Sequence, residues 1–184
     1  MKKLAVPFVM IIAFYLATPL PSSAQSAGPQ QINKAAGNPD CAKVKFHNLG
    51  RYKDDKWWRV FQDEEVAPAL KTLLKKDYPK LTQNMKRATY PEDSLSFVDR
   101  KGVLTLRGFV PGLFTIMEAM LIVEPCGNIY TAILDEGDQF LYFSNDQEYV
   151  DRLPPSIEEW RTGIEQARSK FRKQPELPVV YKSK

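Results

Sequence analysis

From Leu95 to Phe143 the chain is written in short apolar runs, each stopped by a turn signal, and this pattern limits the fold more than any other feature. Leu95 and Phe97 alternate with polar residues, and Asp99-Arg100-Lys101-Gly102 supplies a turn with glycine where positive φ is needed. Leu104 and Leu106 alternate with Thr105 and Arg107 in a second strand. Residues Phe109 to Phe114 read as a loop, because Pro111-Gly112 breaks the alternation. The run from Ile116 to Val123 is apolar almost throughout, as a strand covered on both faces requires. Pro125-Cys126-Gly127-Asn128 makes the next turn, Ile129 to Leu134 a fourth strand, Asp135-Glu136-Gly137-Asp138 a hairpin turn and Phe140 to Phe143 a fifth strand. Five strands joined so closely predict an antiparallel meander.

Helical periodicity flanks the strands. Within 54–89, Trp57, Val60 and Phe61 give one apolar face, and Val66, Leu70, Leu73 and Leu74 continue such a stripe. Pro68 fits the first turn of a helix starting near Val66, where its missing N–H costs nothing. A further short helix over 80–87 turns Leu81 and Met85 inward. After Pro154-Pro155, Ser156 and Glu159 have the spacing of a capping box, and Ile157, Trp160, Ile164, Ala167 and Phe171 follow one helical face. The expected fold is α+β: N-terminal helices, a five-stranded antiparallel sheet, and a C-terminal amphipathic helix packed on the sheet.

The first residues carry an export signature. Lys2 and Lys3 precede an apolar stretch from Leu4 to Leu20, followed by a break at Pro19, Pro21 and Ser22 and by small residues up to Ala24. The prolines and the small-residue exit argue against an uncleaved anchor, so no stable membrane insertion is expected after cleavage. Residues 1–24 thus read as a signal peptide, 25–40 as a flexible leader, 41–175 as a single α+β domain and 176–184 as a loose tail. The working molecule is expected in the periplasm, or secreted.

Removing Lys2 and Lys3 lowers the formal charge from +4 to +2, which gives no basic face for nucleic acid. In an oxidising compartment the two cysteines, Cys41 and Cys126, read as a disulfide, against a buried thiol pair or an intermolecular bridge. A bridge between them would close a long loop and contribute up to about 4–5 kcal/mol.

The residues for chemistry are sparse. His47 is the only histidine, no G-x-S-x-G elbow or phosphate-cradling glycine loop is present, and one histidine with two cysteines leaves zinc little to use. No catalytic residue, metal or other cofactor is therefore expected, and the protein is not read as an enzyme. Glu118, inside an otherwise apolar strand, has two readings: an acid with a raised pKa, working with Asp135, or a carboxylate near a strand end paired with a neighbouring Arg or Lys. The second is favoured. Trp58 is a candidate contact residue, since adjacent helical residues face different ways and Trp57 and Trp58 cannot both turn inward.

The segment Leu106-Arg107-Gly108-Phe109-Val110-Pro111-Gly112-Leu113-Phe114, the apolar strand after it and Ala132-Ile133-Leu134-Asp135 resemble the inhibitor of vertebrate lysozyme family of small periplasmic proteins. In that family the corresponding loop holds two cysteines around Lys-Pro-His-Asp, and its His enters the lysozyme cleft. Here Pro111 alone keeps its identity: Phe109 and Phe114 stand at the cysteine positions, Val110 at the Lys, Gly112 at the His and Leu113 at the Asp. The resemblance implies fold and compartment, and a binding loop formed by Phe109, Val110, Pro111, Gly112, Leu113 and Phe114. The implied function is a protein-binding module, in its most concrete form an inhibitor or immunity protein acting on a cell-wall (murein) hydrolase. The alternative is a structural or accessory protein of the envelope or of a secretion system.

Overall fold

The computed structural model describes residues 43–52, 54–86, 95–110, 112–113, 115–170 and 176–182. The expected signal peptide, leader and Cys41 lie outside them, as do Pro111, Phe114, Phe171 and the side chain of Trp57. Among the described residues, no helix is long and apolar enough to cross a membrane.

One open sheet organises the described chain. Its strands are β1 (Leu95–Val98), β2 (Leu104–Phe109), β3 (Glu118–Val123), β4 (Ile129–Asp135), β5 (Gln139–Ser144) and β6 (Val179–Tyr181), in that spatial order. The first five pair antiparallel, as the close turn spacing requires, while β6 runs parallel to β5. The fold is thus α+β with a mixed six-stranded sheet.

The strand period divides the core in two. Leu104, Leu106, Ala119, Leu121, Val123, Ile129, Ile133, Leu141 and Phe143 face one side. There they meet 3-10 segments at Leu49–Tyr52 and Asp54–Gln62, α1 (Val66–Leu74) and α2 (Tyr78–Lys86), through Val60, Phe61, Val66, Leu70, Leu74, Leu81 and Met85. Met120, Ile122, Tyr130, Ala132, Leu134, Phe140 and Tyr142 face the other side, against Ile157, Trp160 and Ile164 of α3 (Pro155–Ser169). Every residue of β3 is buried, which accounts for its unbroken apolar run.

Close packing of α2 depends on one missing side chain. Gly108 of β2 stands opposite Ala119 of β3, and a Cβ on Gly108 would lie 3.2 Å from the Met85 Cα. The neighbour is backbone, so a larger residue must shift α2 away from the sheet by at least a few tenths of an ångström. Gly108→Val should cost about 1–3 kcal/mol through overpacking, read as a lower midpoint in thermal unfolding; an unchanged midpoint would show that α2 can move freely.

Three expectations need correction. Residues 176–182 of the expected tail are not loose: Leu177 is buried, Phe140 N donates to Pro178 O at 2.9 Å, and Lys182 N donates to Tyr142 O at 2.8 Å, so 179–181 completes the sheet. A parallel strand needs a crossover, and α3 provides it. Ser156 does not cap α3. The helix starts at Pro155 with Pro154 as N-cap and no side-chain cap, because proline at the first position presets the helical φ and moves the start back. The Ser156 hydroxyl is buried without a partner among the described residues. The stretch carrying Val60 and Phe61 buries both side chains as the apolar stripe requires, but as a 3-10 segment and not an α-helix.

Candidate functional site: the loop between β2 and β3

The β2–β3 connection is a compact loop tied to its own ends. Val110 N donates to Met117 O at 3.0 Å, continuing the ladder, and Val110 itself is buried. Leu113 N then donates to Val110 O at 2.8 Å, and Met117 N to Leu113 O at 2.8 Å. Gly112 adopts φ +78° with open space around it, and Thr115 adopts φ +62°. The chain therefore turns back sharply and leaves Gly112 and Leu113 in solvent, with Leu113 36% exposed. Phe109, at the end of β2, is half-buried.

Glu118 holds this loop. Its carboxylate is buried at the first position of β3, where it accepts from Thr115 N (2.8 Å), Arg107 Nη2 (2.9 Å) and the Trp160 indole N–H (3.2 Å). One side chain thereby joins the loop, β2 and α3. The Arg107 guanidinium also lies 5.6 Å from the Trp160 ring centroid. From the opposite face, Asn84 of α2 donates to the carbonyls of Glu118 (3.2 Å) and Leu134 (3.3 Å). The β4–β5 turn closes the third side: a Cβ on Gly137 would come within 3.3 Å of the Ile116 Cα, and Gly137 takes φ +74°.

This arrangement matches the reading of Glu118 as a strand-end carboxylate paired with a neighbouring Arg. It does not bring Glu118 and Asp135 together. Glu118 shares the face of Met120 and Trp160, whereas Asp135 pairs with Lys80 of α2, Nζ to Oδ2 2.8 Å, on the other. Trp58 belongs to a separate element, the Asp54–Gln62 segment; it is 38% exposed, and the Arg59 guanidinium lies 5.5 Å from its ring centroid. Pro111 and Phe114 fall outside the described residues.

Cys126 is disulfide-bonded, and Cys41, the other cysteine of the chain, lies outside the described residues. Lys45 N and Phe46 N both donate to Pro125 O, at 2.7 and 3.0 Å, so the chain shortly after Cys41 runs along the Cys126 turn.

A second polar cluster escaped the sequence reading. Asp63, just ahead of α1, accepts on Oδ1 from Glu65 N (2.8 Å) and Val66 N (2.7 Å), and on Oδ2 from the Tyr52 hydroxyl and the Arg51 guanidinium. Burial alone would raise its pKa; the hydrogen bonds from Tyr52, Val66 and Glu65, with the Arg51 charge, outweigh it and hold the group below its ordinary value. Burial and the bond to Asp63 push Tyr52 up to about 12. An open groove of about 660 Å³ lies beside this cluster, with His47, Arg51, Arg59 and Glu65 among its walls. His47 is exposed there and bound to Glu65, Nδ1 to Oε1 3.2 Å. An Asp at the helix entry was the available signal, because free N–H groups at a helix start attract such a side chain. Among the described residues, no group of three His, Cys, Asp or Glu side chains is placed to hold a metal ion.

No family model, no curated protein and no solved structure matches this chain.

Proposed function

We propose that the protein is an exported protein-binding module which presents the 109–114 loop to a partner, and that the partner is a cell-wall hydrolase which it inhibits or neutralises. The observation that carries this reading is a large apolar side chain, Leu113, held in solvent on a loop braced by Glu118, Asn84 and the Gly137 turn. A rigid support lowers the entropy cost of docking an exposed side chain, since less freedom is lost on binding. The resemblance of residues 104–143 to a family of periplasmic lysozyme inhibitors, with its signal-like N-terminus, supports compartment and partner class. The same compartment supports pairing of Cys126 with Cys41.

Turbidity assays with the purified protein against a panel of muramidases and amidases test the reading. Inhibition of at least one is expected. Leu113→Asp should weaken it at least tenfold without lowering the unfolding midpoint, because the side chain is exposed and carries binding rather than folding. Absence of inhibition across the panel would favour the accessory envelope role, whose own sign is loss of an assembly on deletion.

A further inference from the structure

At the other end of β3 from the loop, a second carboxylate is buried with far poorer support. Glu124 follows the last residue of β3 and is 1% exposed. Its Oε2 accepts from Asn128 Nδ2 at 3.0 Å, while its Oε1 is buried without a partner among the described residues. The same Asn128 nitrogen lies 3.5 Å from Asp146 Oδ2, which also accepts from the Tyr130 hydroxyl at 2.6 Å. Asp146 Oδ1 accepts from Glu148 N at 3.0 Å. Asp146 is thus well supplied with donors and Glu124 is not. No Lys or Arg forms an ion pair with either carboxylate among the described residues.

We propose that Glu124, buried beside the half-buried Asp146, holds a proton, and that this proton stabilises the turn bearing Cys126. A buried carboxylate oxygen without a donor is costly when ionised, and protonation is the cheapest relief. The surroundings act in the same direction. Burial is the largest cause raising the Glu124 pKa, and Asp146 and Asp99 add like-charge repulsion, against the opposing hydrogen bond from Asn128 and the nearby Tyr130 hydroxyl. Asp99 comes from the β1–β2 turn, where its carboxylate accepts from Lys101 N and Val103 N. Tyr149 stacks edge-on against Tyr130, and Arg152 lies over the Tyr149 ring and binds Glu148. On the turn itself, the Lys45 side chain lies against Gly127. Tyr142, on β5, is held neutral by burial.

The consequence is local. Gly127 N donates to Glu124 O at 3.0 Å and Glu124 N to Asn128 O at 2.9 Å, so the residue that binds the proton also closes the turn around Cys126. Asn145, next to Asp146, clamps the same turn, donating to Gly127 O at 2.8 Å and accepting from Ile129 N at 2.7 Å. A folded state that binds a proton the unfolded chain has released gains stability in acid and loses it as pH rises. Between the unfolded and folded pKa values the folding constant falls up to about tenfold per pH unit.

A carboxyl ¹³C NMR titration of the purified protein tests this directly. Glu124 is expected to titrate above every other glutamate, and Asp146→Asn should bring its midpoint down. Glutamates that all titrate in the ordinary range, near about 4.3, overturn the proposal, and so does a Glu124 midpoint that Asp146→Asn leaves unmoved. In thermal unfolding, Glu124→Gln should be more stable than the parent at pH 8, with the gap closing toward pH 5. A gap independent of pH, or a less stable variant at pH 8, also overturns it. If the variant does not fold, the titration of the unmodified protein decides alone.

Discussion

Replacing Glu118 with Ala should destabilise the protein by about 3 kcal/mol, the scale for removing one partner of a buried ion pair. Three donors lose their acceptor at once: the Thr115 amide, the Arg107 guanidinium and the Trp160 indole. Arg107 is the most costly of these, since its Nε is already buried without a partner among the described residues. Its side chain retains 37% exposure, so water can reach part of the guanidinium and the loss should fall short of the upper range for a fully buried pair. For a chain of this size about 3 kcal/mol corresponds to a fall of roughly 6–12 °C in unfolding temperature. Glu118→Gln should cost less, about 1–2 kcal/mol, because an amide oxygen can still accept from Thr115 N while the charge opposite Arg107 is gone. Amide exchange supplies the local readout: Thr115 and Met117 should lose protection in Glu118→Ala more than residues of β5 do. An Ala variant with the parent's unfolding temperature would mean that Glu118 does not hold the loop.

How far these contacts could be foreseen follows from their range in sequence. The strands were legible because burial on alternate sides leaves a period of two, and the double coverage of β3 leaves its unbroken run. A basic partner for Glu118 was legible in kind, since a carboxylate inside an apolar strand must be paired. Its particular partners were not. Arg107 reaches it only because the register sets Phe109 opposite Glu118, and Trp160 only because α3 covers that face. Asp63 was hidden by its neighbours, since Glu64 and Glu65 are acidic residues just as close to the helix start, whereas Asp63 makes the hydrogen bonds. The strand Val179–Tyr181 has three residues next to Pro178, too few to show any period, and only the edge of β5 identifies it.

Asp63→Ala should be the other severe substitution, again at about 3 kcal/mol. It removes the acceptor for two amides at the start of α1, about 1 kcal/mol by the scale of helix caps, and takes from the buried Tyr52 hydroxyl the carboxylate to which it donates. Arg51, nearly half exposed, can turn to water and should add little. The pH dependence separates the charge from the packing. The Asp63 pKa lies below its unfolded value of 3.8, so its contribution is complete above that value and is lost as pH falls through the folded value. The stability gap between the parent and Asp63→Asn should therefore be constant at neutral pH and narrow below about pH 4. Glu124 has the opposite sign, since its raised pKa removes stability as pH rises. With one group weakening the fold in strong acid and the other as pH rises above the ordinary carboxylate range, the two contributions together should peak in mild acid, and each flank should vanish with its own substitution. A parent whose unfolding temperature rises steadily from pH 5 to pH 8 would contradict the Glu124 half of this balance; an Asp63→Asn gap that persists unchanged to pH 3 would contradict the other.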